Sequence, residues 1–314
     1  MIIIIGPKFF GYCEAIAQNL RYNGIDSEYV DELPYNNAFF KSAIRLFPAI
    51  SKISTKRYHA KVLKRINSRK DVSKIIYIST ESITKNFING VREHIKQVAY
   101  AWDSINNKTP FKAVLEAVEV SASFDPSDCE RYGYTYVPLF AEDMFTDKNN
   151  DRAYSFALIG SAHTQRAEIA NNISLITNKK SFLYLYSPSL LVFLFRNKTK
   201  FFKGLKVLKT KPMSKREVSE VFKSSKFVVD FAHPGQSGLT QRTFEAIRAG
   251  ALLITNNKTA LPFLEMNKFV IQVDNWDLAR FEALENQKLK GGPVSPQLDY
   301  DLSINRFCNQ ILEI

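Results

Sequence analysis

The densest concentration of reactive side chains lies in residues 228–250, VVDFAHPGQSGLTQRTFEAIRAG. An apolar strand-like run ends there in a loop with two glycines, and the loop opens a stretch of helical spacing. A helix start presents free N–H groups and the positive end of its dipole, which together hold a phosphate. Gly235 and Gly238 let the backbone approach such an anion closely. Thr240 adds a hydroxyl, and His233 or Arg242 a cation or hydrogen-bond donor. Gln236 and Leu239 belong to the same connection. Glu245, a turn further in, is a carboxylate that can accept from ribose hydroxyls. The plainer alternative is a strand–turn–helix with Thr240 as its cap.

Other candidates are sparser. His163 sits just beyond the strand-like run 154–159, where it is either a site residue or a surface histidine near a helix start. His59 and His94 lie in basic helical segments and are expected at the surface. Asp299-Tyr300-Asp301 has the form of a metal-binding D-x-D string, but it follows a Gly-Pro-rich loop with no strand before it and reads as a helix start. With four scattered histidines no metal site is expected. Three cysteines, far apart, exclude a disulfide scaffold and a cysteine zinc site and suit a reducing compartment.

The elements that must position these groups alternate. Strand patterns at 2–5, 28–30, 74–78, 97–102, 119–124 and 135–139 are interleaved with helical ones at 10–22, 38–69, 83–94 and 110–117. The polar stretch 141–153, AEDMFTDKNNDRA, has no period and reads as a linker. Alternation then resumes, with strands at 154–159, 182–186, 227–231, 252–255 and 269–273 and helices at 166–177, 215–223, 240–249 and 302–312. The expected fold is α/β: two Rossmann-like doubly wound domains facing across a cleft, with ligands beyond the carboxyl ends of the strands. The expected division is 1–140, a linker at 141–153, 154–298, and a C-terminal helix at 299–314 packing back on the first domain. Residues 1–5 read as a buried strand rather than a signal peptide.

Length and composition fit this reading. A chain of 314 residues suits two domains, and 45% hydrophobic with 24% charged residues excludes collagen-like and globally disordered classes. The most apolar stretch, 182–195, is interrupted by Ser187-Pro188 and too short to cross a bilayer. The net charge of +12 implies an anionic partner. It is clustered: residues 41–74 hold eleven Lys or Arg and one acid, and 196–216 hold nine with none. Nucleic acid is not expected, because no recognisable nucleic-acid-binding module accompanies the charge.

The segment 233–257, HPGQSGLTQRTFEAIRAGALLITNN, resembles the donor-binding connection of GT-B glycosyltransferases, especially bacterial enzymes of lipopolysaccharide and capsule gene clusters. GPKFFGY (6–12), YAWDSI (100–105), SFDPSDCERYG (123–133) and ALIGSAHTQR (157–166) are similar to the same family. The resemblance implies a glycosyltransferase moving a sugar from a nucleotide-sugar donor to a lipid-linked or oligosaccharide acceptor of a surface glycan. It implies that Glu245 binds the donor ribose and that Gly160 and Arg166 belong to a diphosphate-binding region. His163, His233, Gly235, Gln236, Gly238, Leu239, Thr240 and Arg242 would complete the donor side, and Gly6, Lys8 and Phe10 the acceptor side. Retaining members often carry E-x7-E, whereas Ser237 stands eight residues before Glu245. Inversion is therefore favoured, and it needs a general base. Asp103 is the first candidate and Glu81 the second; each has a helix-capping alternative, and Asp125 reads as a turn residue. No cofactor and no metal is implied, with helix dipole, Arg and His stabilising the leaving group.

The basic segments 41–74 and 196–216 interleave with large apolar residues, as do segments lying on an anionic membrane. The resulting expectation is a cytoplasmic protein, peripheral on the inner face of the cytoplasmic membrane. Two alternatives remain open: a CMP-sugar transferase using His233-Pro234, and a non-catalytic nucleotide- or nucleic-acid-binding module.

Overall fold

The computed structural model describes the whole chain apart from residues 9–10, 35–47, 106–108, 147–151, 163–164, 177–179, 189–206, 233–236, 288 and 290, and gives backbone alone for 48–51 and 109. Phe10, His163, His233, Gly235 and Gln236 therefore lie outside the described residues. The chain divides into two compact units, Met1–Leu139 with Ile304–Ile314, and Phe140–Ser303.

The first unit holds a parallel sheet in the order β2-β1-β3-β4-β5-β6. Its strands are β1 (Ile2–Gly6), β2 (Ser27–Asp31), β3 (Lys74–Ile78), β4 (Lys96–Ala101), β5 (Val120–Ser123) and β6 (Thr135–Tyr136). β1 and β3 are buried along their whole length, which is why they read as unbroken runs, IIIIG and KIIYI, rather than as alternating patterns. Their register sets Ile3 beside Ile75 and Ile5 beside Tyr77. Helices α1 (Tyr12–Tyr22), α2 (Pro48–Ser68), α3 (Lys85–Asn89), α4 (Thr109–Leu115) and α5 (Pro126–Tyr132) provide the crossovers. α2 contributes Val62 and Ile66 to the core. His59 lies on that same face and is buried, contrary to the surface position expected from its basic neighbours. Asp125 is a helix cap rather than a turn residue: its side chain accepts the Ser127 N–H and Pro126 opens α5.

The second unit repeats the plan in the order β12-β11-β10-β7-β8-β9, again all parallel. The strands are β7 (Tyr154–Ser161), β8 (Phe182–Tyr186), β9 (Leu208–Lys209), β10 (Ser225–Asp230), β11 (Leu252–Thr255) and β12 (Val270–Gln272). They alternate with α6 (Arg166–Ser174), α7 (Lys215–Lys223), α8 (Gln241–Arg248) and α9 (Leu278–Asn286). Phe156 stacks on Phe227 at 5.1 Å and meets Phe281 edge-on at 5.5 Å to centre the core.

Each unit ties its own chain ends with a buried arginine, Arg248 in the second and Arg306 in the first. The expected linker 141–153 is, where described, part of the second unit. Ala141 donates its N–H to the Leu302 carbonyl at 2.7 Å, and Phe145 is buried against Phe222. Arg248 on α8 donates to the Ala141 carbonyl and binds both carboxylate oxygens of Asp299 at 2.9 and 3.1 Å. The D-x-D string is thus a structural tie within the seven-residue helix α10 (Pro296–Leu302), with Asp301 accepting from Gln297. Partial burial acts to raise the Asp299 carboxyl, but the Arg248 hydrogen bond and charge outweigh it and hold its pKa below the usual value. Ser303, in extended conformation, separates α10 from α11 (Ile304–Glu313), so the expected single terminal helix is two.

α11 belongs to the first unit. Phe307 meets Tyr100 edge-on at 5.1 Å, Asn305 accepts from Asn19 at 2.7 Å, and Lys74 donates to the Leu312 carbonyl at 2.6 Å. Buried Arg306 donates to the Pro138 and Leu139 carbonyls. Among the described residues no helix is long and apolar enough to cross a membrane, and no group of three or more His, Cys, Asp or Glu could hold a metal ion.

Arg306→Met keeps the apolar stem and deletes the donors to both carbonyls. The variant should lose about 2–3 kcal/mol of first-unit stability, read by urea unfolding, with faster amide exchange along Ile304–Glu313.

Candidate functional site

In the second sheet β7 is flanked by β10 on one side and β8 on the other, so the strand order reverses at β7 and the connections after β7 and β10 diverge there. Both connections bring arginine to that point. Gly160 is the penultimate residue of β7, and a Cβ placed on it would lie 3.1 Å from the Arg166 guanidinium. The missing side chain is what lets Arg166, at the start of α6, fold over the strand end. Arg166 donates to the Phe231 carbonyl at 3.1 Å.

β10 ends at Asp230, only 2% exposed. Its carboxylate accepts from the Thr240 hydroxyl and lies 3.9 Å from the Arg242 guanidinium. Thr240 occupies the N-cap position of α8 but makes no side-chain cap, because its hydroxyl is turned to Asp230. Burial, then the like charge of Arg242, pull the Arg166 pKa down to about 10, with Asp230 opposing. Arg166 therefore stays charged at neutral pH. Arg242 Nε is buried and has no hydrogen-bond partner among the described residues.

The loop from Ser237 to Thr240 is held from the neighbouring strand end. Asn257, after β11, donates to the Gly238 carbonyl at 3.0 Å, and the Thr259 hydroxyl donates to that of Ser237. The Ala232 N–H is taken by Asn256 at 2.9 Å. Leu239 is buried beneath the loop, and Glu245, 5% exposed, is buried within α8. Arg242 therefore faces a buried carboxylate at the N-terminus of an eight-residue helix, with the like charge of Arg166 near it. Two guanidiniums beside a helix N-terminus are chemistry suited to an anionic group of phosphate type.

In the first sheet β1 lies between β2 and β3, which makes the same kind of switch point. Gly6 ends β1 in a packing role: a Cβ there would meet Cys13 Sγ at 2.6 Å and the Ile78 carbonyl at 3.0 Å. Lys8 is exposed. After β3, Ser79 has a left-handed φ of 41°, and its hydroxyl accepts the Trp102 N–H at 2.9 Å. Glu81 follows and is exposed. It is not a helix cap: α3 is capped by Thr84, whose side chain accepts from the Phe87 N–H. Asp103 follows β4, half-buried, while α4 begins only at Thr109. The Ser79–Trp102 bond puts the two candidate bases on adjacent, tied connections.

Sequence reasoning did not single out Asp230, Asn256, Asn257 or Thr259. Asp230 had a visible signal, a carboxylate ending the apolar run FVVD. The asparagines had none beyond their place after a strand.

No protein-family profile matches the chain, and no curated protein sequence matches it. Solved structures do. The glycosyltransferase AviGT4, involved in avilamycin A biosynthesis, is 8% identical and overlays with a TM-score of 0.62, covering 100% of this chain and 96% of its own. A glycosyltransferase from Rickettsia africae ESF-5 is 12% identical, with a TM-score of 0.60 over 99% of this chain and 97% of its own. A UDP-GlcNAc 2-epimerase from Methanocaldococcus jannaschii, solved with UDP-GlcNAc and UDP, is 12% identical, with a TM-score of 0.57 over 99% and 98%. These likenesses carry the fold, which is GT-B.

Inorganic pyrophosphate should raise the melting temperature of this protein in a concentration-dependent way. Arg166→Met and Arg242→Met should each weaken that binding by about tenfold or more, equivalent to about 1.4 kcal/mol. Thermal shift at constant ionic strength is the measurement, and an unchanged midpoint in both variants removes the pair from the site.

Proposed function

We propose that this protein is a metal-independent, inverting glycosyltransferase that moves a sugar from a nucleotide-sugar donor to a growing bacterial surface glycan. The observation that carries the reading is the gathering of Arg166 and Arg242 beside the N-terminus of α8, at the switch point of a GT-B fold. The glycosyltransferases and UDP-GlcNAc epimerases among its structural neighbours support a nucleotide-sugar ligand.

In this mechanism the second unit holds the donor. Its diphosphate lies against the N-terminus of α8, with Gly160, Arg166, Gly238, Thr240 and Arg242 around it and Glu245 serving the ribose. As the acceptor oxygen attacks the anomeric carbon, the bond from that carbon to the phosphate oxygen breaks and the electron pair leaves on the diphosphate. The two guanidiniums and the helix dipole stabilise that charge. Asp103, or failing it Glu81, takes the acceptor proton.

The acceptor is proposed to be lipid-linked, at the inner face of the cytoplasmic membrane. α2 supports this. Opposite its buried face, Lys56, Arg57, Lys61 and Lys64 are exposed around Ile53, which is 55% exposed, and the helix has no acidic residue. Among the described residues none of these four cations has an ion-pair partner. Of the second basic segment, residues 196–206 lie outside the described residues.

A thermal-shift panel of UDP, GDP, dTDP and CMP, followed by product analysis with the matching sugar nucleotide, tests the function. Stabilisation by a nucleoside diphosphate with sugar transfer supports it. Isomerisation of the donor sugar without an acceptor assigns an epimerase instead, and CMP alone a CMP-sugar enzyme.

Asp103→Asn should lower kcat by about 10²–10⁴-fold with donor affinity unchanged. Glu81→Gln measured beside it decides which carboxylate is the base, and two near-normal values remove both. Neutralising Lys56, Arg57, Lys61 and Lys64 together should weaken binding to phosphatidylserine vesicles by roughly 10²–10³-fold at low salt, at about 1 kcal/mol per residue. Turnover on a soluble acceptor should not change.

A further inference from the structure

We propose that Glu32 is a positioning residue, whose buried carboxylate holds the turn from Ser79 to Ser82 in the shape that presents the acceptor-side carboxylates. The proposal rests on the transferase reading and deepens its first-unit half. Glu32 follows β2 and is 4% exposed. One of its oxygens, Oε2, accepts from the Glu81 N–H, the Ser82 N–H and the Ser82 hydroxyl, each at 2.8 Å. The residue is itself fixed on both sides: its N–H donates to the Gly6 carbonyl at 3.1 Å, and its carbonyl lies 2.8 Å from His59 Nε2. Because a carbonyl only accepts, that bond keeps the His59 proton on Nε2. A single residue thus joins the carboxyl ends of β1, β2 and β3, the first through its backbone N–H and the last through its side chain.

The turn it grips is the unusual part of the sheet edge. Ser79 has φ 41°, a left-handed conformation that a non-glycine residue keeps only where its surroundings over-determine it. Here Glu32 holds one end of the turn through two amides, and the Trp102 N–H holds Ser79 Oγ at the other. Glu81 belongs to the gripped pair, and Asp103 directly follows the tied Trp102. Both candidate bases therefore depend on the same geometry. An apolar residue would fill the volume after β2 without the cost of burying a carboxylate. What only an acceptor can supply is a fixed position for two backbone N–H groups that no strand or helix takes up. Since misplacement by about 1 Å can cost about 10²-fold in rate, the grip bears on turnover and not only on folding.

The test compares Glu32→Gln, Glu32→Asp and Glu32→Val with the wild type. It measures release of nucleoside diphosphate from UDP-, GDP- and dTDP-hexoses, amide exchange at Glu81, Ser82 and Trp102, and the stabilisation given by the free nucleotide. Gln keeps an oxygen at the same reach, so it should retain turnover and slow exchange. Asp withdraws the oxygen by one methylene and should lower kcat by about 10-fold to 10²-fold, with faster exchange at the three amides and unchanged nucleotide stabilisation. Val should do the same, and if it fails to fold, the Asp and Gln pair still decides. Asp and Gln variants that both match the wild type in kcat overturn the proposal even where exchange changes. So does a Gln variant as impaired as the Asp one. A wild type that releases no nucleoside diphosphate from any of the three donor classes overturns the functional reading itself, and the proposal with it.

Discussion

Two sheets of six strands, every pairing parallel, impose one constraint on all else in this protein. A parallel strand cannot be reached by a hairpin, so each connection must cross back over a face of its sheet before the next strand begins. All carboxyl ends in a sheet then emerge along one edge, and the strand-to-helix connections collect there. Each sheet reverses its strand order once, at β1 in one and at β7 in the other, and there two successive connections part and leave backbone groups without a covering helix. The groups assigned to chemistry gather at or beside these places because the rest of each sheet is closed by packing.

The two edges solve opposite electrostatic problems. In the second unit the edge is cationic: Arg166 feels the like charge of Arg242, and the Arg242 guanidinium lies 3.9 Å from buried Asp230, which also accepts from the Thr240 hydroxyl. In the first unit buried carboxylates meet backbone amides instead. Glu32 takes the amides of Glu81 and Ser82, and Asp128 takes that of Ile105 at 3.0 Å. Burial raises the pKa of both holding carboxyls, Glu32 and Asp128, against the lowering effect of those same hydrogen bonds. The transfer proposed above would use this division, with cations where the leaving group departs and, on the turns those carboxylates hold, Asp103 or Glu81 as the base where the nucleophile loses its proton.

Buried or half-buried arginine recurs as a structural device where ordinary secondary structure runs out. Arg152 caps the carbonyls of Ala249 and Gly250 at the end of α8, Arg248 takes that of Ala141, and Arg306 those of Pro138 and Leu139. Each guanidinium satisfies carbonyls that have no strand or helix partner, a task its fixed fork of donors performs better than lysine. This use explains part of the positive charge without any external partner. Lys56, Arg57, Lys61 and Lys64 of α2 are different, since within the described residues no ion pair balances them, whereas Arg65 on the same helix pairs with Glu28 at 2.8 Å.

By itself the sequence determined eleven of the twelve strands, all but the two-residue β9, and the class of fold, because a parallel strand buried on both faces must be apolar along its length and a crossover helix must be apolar on one side. IIIIG, KIIYI and FVVD carry that information locally, as does the connection from Gly238 to Glu245 with its glycine, threonine and arginine at a helix start. Only the tertiary structure decided what those polar groups do. Thr240 looks like a cap until β10 brings Asp230 beside it. Asp299 looks like half of a metal string until Arg248 occupies both its oxygens, and residues 141–146 look like a linker until Ala141 joins Ser303. Glu32 carried no signal at all, lying just past a short strand in SEYVDE. Its meaning comes from sheet order: placing β1 between β2 and β3 carries it to the turn at Glu81, 49 residues away in sequence. Periodicity reports which face of an element is buried; which polar group it meets depends on which strands are neighbours, and no local pattern encodes that.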